Sequence, residues 1–74
     1  MAVDWHERIT IDAAVRSGQP TIRSMRITVK DVLEYLAGGM TVDELLRDFP
    51  ELSIEDVHAC LAYAAETVEL AKPA

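Results

Sequence analysis

Two histidines and a single cysteine, His6, His58 and Cys60, are the chain's candidates for imidazole or thiolate metal ligands and for a nucleophilic thiol. His58 and Cys60 stand two apart in a segment of helical character. That spacing puts them about 200° apart around a helix axis, so they cannot share an ion. His6 stands alone near the start. A helix histidine and a small buried cysteine are the readings these positions favour. A nucleophilic Cys60 would need a base in reach and an electropositive setting. Its segment instead carries Glu55, Asp56, Glu66 and Glu69, with no basic residue before Lys72, which points to an inert structural thiol. The carboxylate pairs Asp43–Glu44 and Glu55–Asp56 fall in expected first helical turns, where they complement the positive end of the helix dipole. Gly38-Gly39 follows a helical pattern, whereas phosphate loops precede a helix. No catalytic, cofactor or metal site is expected, and the chain reads as a non-enzyme.

The one basic constellation is Arg23, Arg26 and Lys30, a possible contact for phosphate, nucleic acid or a partner's acidic groove. For Arg26 the favoured alternative is an ion pair with acids of its own chain, tying an N-terminal β element to the helices; for Arg23 and Lys30 both readings stand. Charge is unevenly spread. Residues 1–37 hold five basic and five acidic side chains, whereas residues 38–74 hold eight acids against Arg47 and Lys72, which is the whole net charge of −6. A surface built from the second half repels phosphate.

These groups need elements to position them. Ile9 and Ile11 alternate with Arg8, Thr10 and Asp12, the period of a half-buried strand. Ser17-Gly18-Gln19-Pro20 reads as a turn, and Thr21-Ile22-Arg23 as a second short strand, giving a β/turn segment over 8–27. Three helices follow. Thr28 caps the first (28–38), with Val29, Val32, Leu33 and Leu36 on one stripe and Gly38 or Gly39 at its end. Thr41 caps the second (41–49), with Glu44 completing a capping box and Pro50 stopping it. Ser53 caps the third (53–70), whose stripe is Ile54, Val57, Leu61, Ala64 and Val68. Ile27, Met40 and Leu52 precede the caps and can staple onto Val32, Leu45 and Val57. The expected fold is mainly α, a three-helix, helix-turn-helix-like bundle with a short N-terminal β element, in one domain over 1–74. The Lys72-Pro73-Ala74 tail is expected to fray.

On the third helix Ala59, Tyr63 and Leu70 lie nearly opposite the main stripe. Either the N-terminal strands cover this second apolar face, or it meets a second subunit or partner. A core this small gains little margin unaided, and with one cysteine no internal disulfide can form, so a homodimer is expected. No apolar stretch is long enough to span a membrane, and Met1-Ala2-Val3-Asp4-Trp5-His6 lacks the pattern of a signal peptide, which leaves the cytoplasm.

Once the elements are placed, the order of motifs resembles the domain of unknown function 433 family. The matching residues are Gly18-Gln19-Pro20-Thr21-Ile22-Arg23 and Met25-Arg26-Ile27-Thr28-Val29. They continue with Gly38-Gly39-Met40-Thr41, Phe49-Pro50-Glu51-Leu52-Ser53 and Ala59-Cys60-Leu61-Ala62-Tyr63-Ala64. The resemblance runs from about Ile9 to Glu69; Gln19 stands where lysine is usual and Ser24 where glycine is usual. It implies a three-helix, homeodomain-like fold and an antitoxin-like or regulatory role within a toxin–antitoxin system, opposite a PIN-type nuclease.

The expected function is therefore macromolecule binding, with Ala59, Tyr63, Leu70, Glu55, Asp56, Glu66 and Glu69 as the partner or dimer interface. The alternative is a dimeric DNA-binding regulator. A recognition helix normally carries Arg, Lys, Asn or Gln into the major groove, and the third helix has none, so DNA binding by the chain alone is expected to be weak.

Overall fold

The computed structural model describes residues 4–23 and 25–70. The turn at Ser24 and the expected fraying of the Lys72–Ala74 tail lie outside the described residues. Two strands, β1 (Ile9–Thr10) and β2 (Thr21–Ile22), pair antiparallel, with Ile9 opposite Ile22 and Thr10 opposite Thr21. A tight turn at Arg16–Gly18 connects them, its backbone positive in φ at Arg16, Ser17 and Gly18. Three helices follow: α1 (Val29–Ala37), α2 (Val42–Asp48) and α3 (Ile54–Leu70). The fold is mainly α with a small β element, as the sequence pattern predicts. The strand is shorter than its alternation suggests. Pairing stops at Thr10, so Ile9 is buried while Ile11 is left 63% exposed.

The same chemistry starts all three helices. The Thr28 hydroxyl accepts from the Asp31 amide and the Asp31 carboxylate accepts from the Thr28 amide; Thr41 and Glu44 do the same. At α3 the Ser53 hydroxyl accepts from the Asp56 amide (3.2 Å) and the Asp56 carboxylate from the Ser53 amide (3.0 Å). Each reciprocal pair satisfies two amides that a helix start leaves without partners. The stapling residues lie where the caps require: Val32, Leu45, Leu52 and Val57 are buried, and Ile27 and Met40 pack against the core they form. The break after α1 is taken by Gly39, at φ +102°, a region a side chain disfavours.

The core runs through Ile9, Ile22, Val29, Val32, Leu45, Leu52, Val57, Ala59 and Cys60. On α3 the inward residues are Asp56, Val57, Ala59 and Cys60. This corrects the expected stripe. Of its five members only Val57 is fully buried, whereas Ile54, Leu61 and Val68 are 38%, 45% and 71% exposed. Of the residues assigned to a second face, Ala59 and Tyr63 belong on the core side, whereas Leu70 is exposed. The rotation has a cause: the Asp56 carboxylate is held inward against the β element.

Arg8 Nη1 donates to Asp56 Oδ1 at 3.1 Å, and Arg23 grips both oxygens, Nε to Oδ1 at 3.1 Å and Nη2 to Oδ2 at 2.8 Å. Arg23 Nη2 also donates to the Glu51 carbonyl at 2.8 Å. Arg23 therefore has the tying role expected of Arg26. Burial pushes the Asp56 carboxyl up, but the bonds from Arg23, the Ser53 amide and Arg8 outweigh it and hold the carboxyl at about 2, below its ordinary 3.8.

Asp56→Ala is expected to cost about 2–4 kcal/mol in urea unfolding. Losing the buried pair sets most of this, moderated because the Arg8 and Arg23 side chains are 38% and 42% exposed and can turn to water. Loss of the cap adds about 1 kcal/mol of that total. The pH dependence follows from the depressed carboxyl: its contribution is complete above the unfolded value of 3.8 and is lost as pH falls through about 2. Stability of the wild type should fall more steeply across that window than stability of Asp56→Asn. Parallel curves would show that Asp56 is not the group responsible.

Candidate functional site

The expected chemical groups do not assemble into a reaction centre. His58 is exposed on α3 and Cys60 is buried, so they face different surroundings on the same helix. Among the described residues no three metal-ligating side chains come together. Burial, aided by the nearby Asp56 charge, pushes the Cys60 thiol up to about 12, away from the thiolate that reactivity requires. Cys60 in the folded protein should therefore react with iodoacetamide at least tenfold more slowly than in denaturant, a difference mass spectrometry would measure. Equal rates would contradict its burial.

The basic constellation is dispersed by ion pairs. Arg23 is committed to Asp56, and Lys30 donates to Glu34 at 2.9 Å, one turn along α1, which raises the Lys30 ammonium. Arg16 bonds the Arg26 carbonyl at 2.7 Å and lies 3.5 Å from Asp31. The Arg26 side chain is exposed and, among the described residues, makes no ion pair. The positions proposed from spacing as one anion site therefore do not supply one uncommitted cluster.

The interface expected on α3 also divides. Asp56 and Ala59 have no exposure and cannot meet a partner. Glu66 is exposed but accepts the Trp5 indole N–H at 2.6 Å, while the Trp5 ring stands edge-on to Tyr63, centroids 4.8 Å apart. The segment before β1 thus covers part of the face left open in the sequence. Glu55 and Glu69 face solvent, and Leu70 is 81% exposed.

What the fold does build is an apolar groove. Its volume is about 560 Å³, and it runs between α1 and the second half of α3 with Pro20 from the β2 approach at one side. Val29, Leu33 and Ala37 form one wall; Tyr63, Ala64 and Val68 form the other. Lys30 and Glu34, paired with each other, sit on the α1 side, and Thr67 is the polar side chain on the α3 side. Sequence periodicity gave no sign of this groove, because its α3 wall mixes residues from both assigned faces. The signal available was length: α3 at 17 residues outruns α1 at 9 and α2 at 7, so its last turns have too little opposite them.

A family model described as a protein of unknown function, DUF433, matches residues 9–64. The chain belongs to the DUF433 family. The matched segment takes in β1, β2, α1, α2 and α3 as far as Ala64, and so includes Asp56 with its partners Arg23 and Ser53, though not Arg8, and most of the groove. No curated protein and no solved structure matches the chain.

Proposed function

We propose that this DUF433 chain is a non-enzymatic protein-docking module, antitoxin-like in restraining its partner by occupying it, and that the partner seats in the α1–α3 groove. The groove carries the reading: contiguous apolar surface on a small domain marks an interaction site more often than a structural accident. Charge indicates the kind of partner. Of the eight acids in residues 38–74, Asp56 is buried and the other seven face solvent. A basic protein is steered toward such a surface, while apolar contact in the groove supplies the lasting affinity. A PIN-type nuclease, the partner implied by the family resemblance, needs a positive groove for RNA and fits this description. DNA reading is the less favoured alternative, since α3 offers no Arg, Lys, Asn or Gln and phosphate contacts need uncommitted cations.

The test is co-expression with the product of the neighbouring gene, followed by purification through a tag on one chain. A complex that survives washing is expected. Ala37→Arg, which places bulk and like charge for a basic partner at an exposed position of the groove wall, should reduce its recovery at least tenfold. Glu55, Glu66 and Glu69 changed together to Gln should slow association. No neighbouring product co-purifying, or a complex indifferent to Ala37→Arg, would overturn the assignment.

In gel shifts at physiological salt the protein alone should bind duplex DNA no more tightly than about 10⁻⁶ M, the level of ordinary non-specific binding. Nanomolar binding to one operator, abolished by changing Glu55 and His58, would promote the regulator reading instead.

A further inference from the structure

The outward side of α3 carries a second apolar feature, apart from the groove and meeting it only at Val68. Ile54, Leu61 and Val68 stand seven residues apart and all three are exposed, which draws one line about 21 Å long on the helix surface. Large aliphatic side chains at seven-residue spacing supply one of the two positions per heptad by which one helix packs along another. On its open side the line is flanked by Ala65, then by His58 and, further round, Ala62, so the small side chains allow close approach of a second backbone everywhere but at His58.

We propose that the occupant of this stripe is a second copy of the chain, packed antiparallel along α3 about a two-fold axis at Leu61. The spacing is self-complementary. Ile54 and Val68 are equally distant from Leu61, so the axis sets Leu61 on Leu61 of the second copy and Ile54 on its Val68, as a two-fold interface requires. Charge selects the same direction. At its N-terminal end α3 has two guanidiniums, Arg8 and Arg23, against the two first-turn acids Glu55 and Asp56, so this end is neutral apart from the positive end of the helix dipole. Its C-terminal end has Glu66 and Glu69, no basic residue in the last turn, and the negative end of the dipole. Antiparallel packing sets each acidic C-terminal end against a neutral end with the positive pole of its dipole; parallel packing would stack the two acidic ends. Glu55 and Glu69 lie off the stripe at the rim, where like charges in water weaken the contact only slightly. One helix face is smaller than the roughly 800 Å² per partner of a standard stable interface, so the association is expected to be weak and reversible.

Sedimentation equilibrium of the full chain, from low micromolar to near-millimolar concentration, should show the weight-average mass rise from monomer to dimer. Leu61→Glu should remain monomeric throughout with an unchanged helical circular dichroism spectrum. Register is tested by cysteine pairing in a Cys60→Ala background: Leu61→Cys should oxidise to a covalent dimer at least tenfold faster than Ala37→Cys in the groove. A wild type that stays monomeric, a Leu61→Glu dimer of wild-type strength, or equal cross-linking at the two positions would each overturn the proposal. These readouts use no partner, so they fail or succeed independently of the groove assignment. Ala37→Arg should still dimerise.

Discussion

Four N–H donors converge on the Asp56 carboxylate: three from Arg8 and Arg23, and one from the Ser53 amide. The carboxylate has no contact with water, and burying an ion costs several kcal/mol unless its partners are well placed. That requirement dictates much of the rest. Arg8 must come from the approach to β1 and Arg23 from the turn after β2, so the small sheet is drawn onto the N-terminal end of α3. Ser53 must cap the same helix so that its amide meets the remaining lone pair. Arg23 holds a left-handed backbone, φ +49°, where an arginine is strained and a glycine would not be. The side chain's three bonds beyond the turn, two to Asp56 and one to the Glu51 carbonyl, offset that strain.

This constraint explains what the amino-acid sequence made legible and what it did not. Helix starts were readable because a cap is a local event: Thr28, Thr41 and Ser53 and the acids three residues later settle the matter within one turn. The paired strands at Ile9 and Ile22 were readable for a similar reason, with a turn between them. The inward face of α3 was not. Periodicity weighs residues by size and hydrophobicity, and so selected Ile54, Val57, Leu61, Ala64 and Val68. The real core side presents Asp56, Ala59 and Cys60, one charged residue and two small ones, which no hydrophobic pattern ranks highly. Only knowing that two arginines would reach Asp56 from a segment at least 33 positions earlier could have turned the helix correctly. The identity of the tying cation was misjudged likewise. Arg26 and Arg23 are three apart and chemically equal, and the choice between them depends on the direction of the turn that follows β2.

Turning α3 reassigns its surfaces. Ala59 passes from candidate interface to core, Tyr63 turns to the wall of the groove, and Trp5 covers the outer part of that side by bonding Glu66. Ile54, Leu61 and Val68 pass from expected core to solvent. A large aliphatic side chain left in water costs the burial it would otherwise gain, on the order of 1–2 kcal/mol each. Three of them in one line, on the helix that also forms a groove wall, are thus a standing source of free energy for association. The short α1 leaves that helix uncovered along its last turns, and among the described residues no further element lies over it.

Charge undergoes the same redistribution without any change in its sum. Counted along the chain, the first half looks neutral and the Arg23, Arg26, Lys30 group looks available to a phosphate. In the fold Arg8 and Arg23 are spent on an acid of the second half, Lys30 on Glu34, and Arg16 on Asp31 and a carbonyl. Arg26 and Arg47 are the cations that make no ion pair among the described residues, while seven acids of the second half remain in solvent. A polyanion is held by several uncommitted cations acting together, and a field of that sign opposes its approach. Acids at a protein surface attract by the same rule that makes them repel: the ligand whose approach they favour is a cation, and one with apolar surface of its own can use the groove beside them. The ion pairs that hold the fold together thus also commit Arg8 and Arg23 to Asp56.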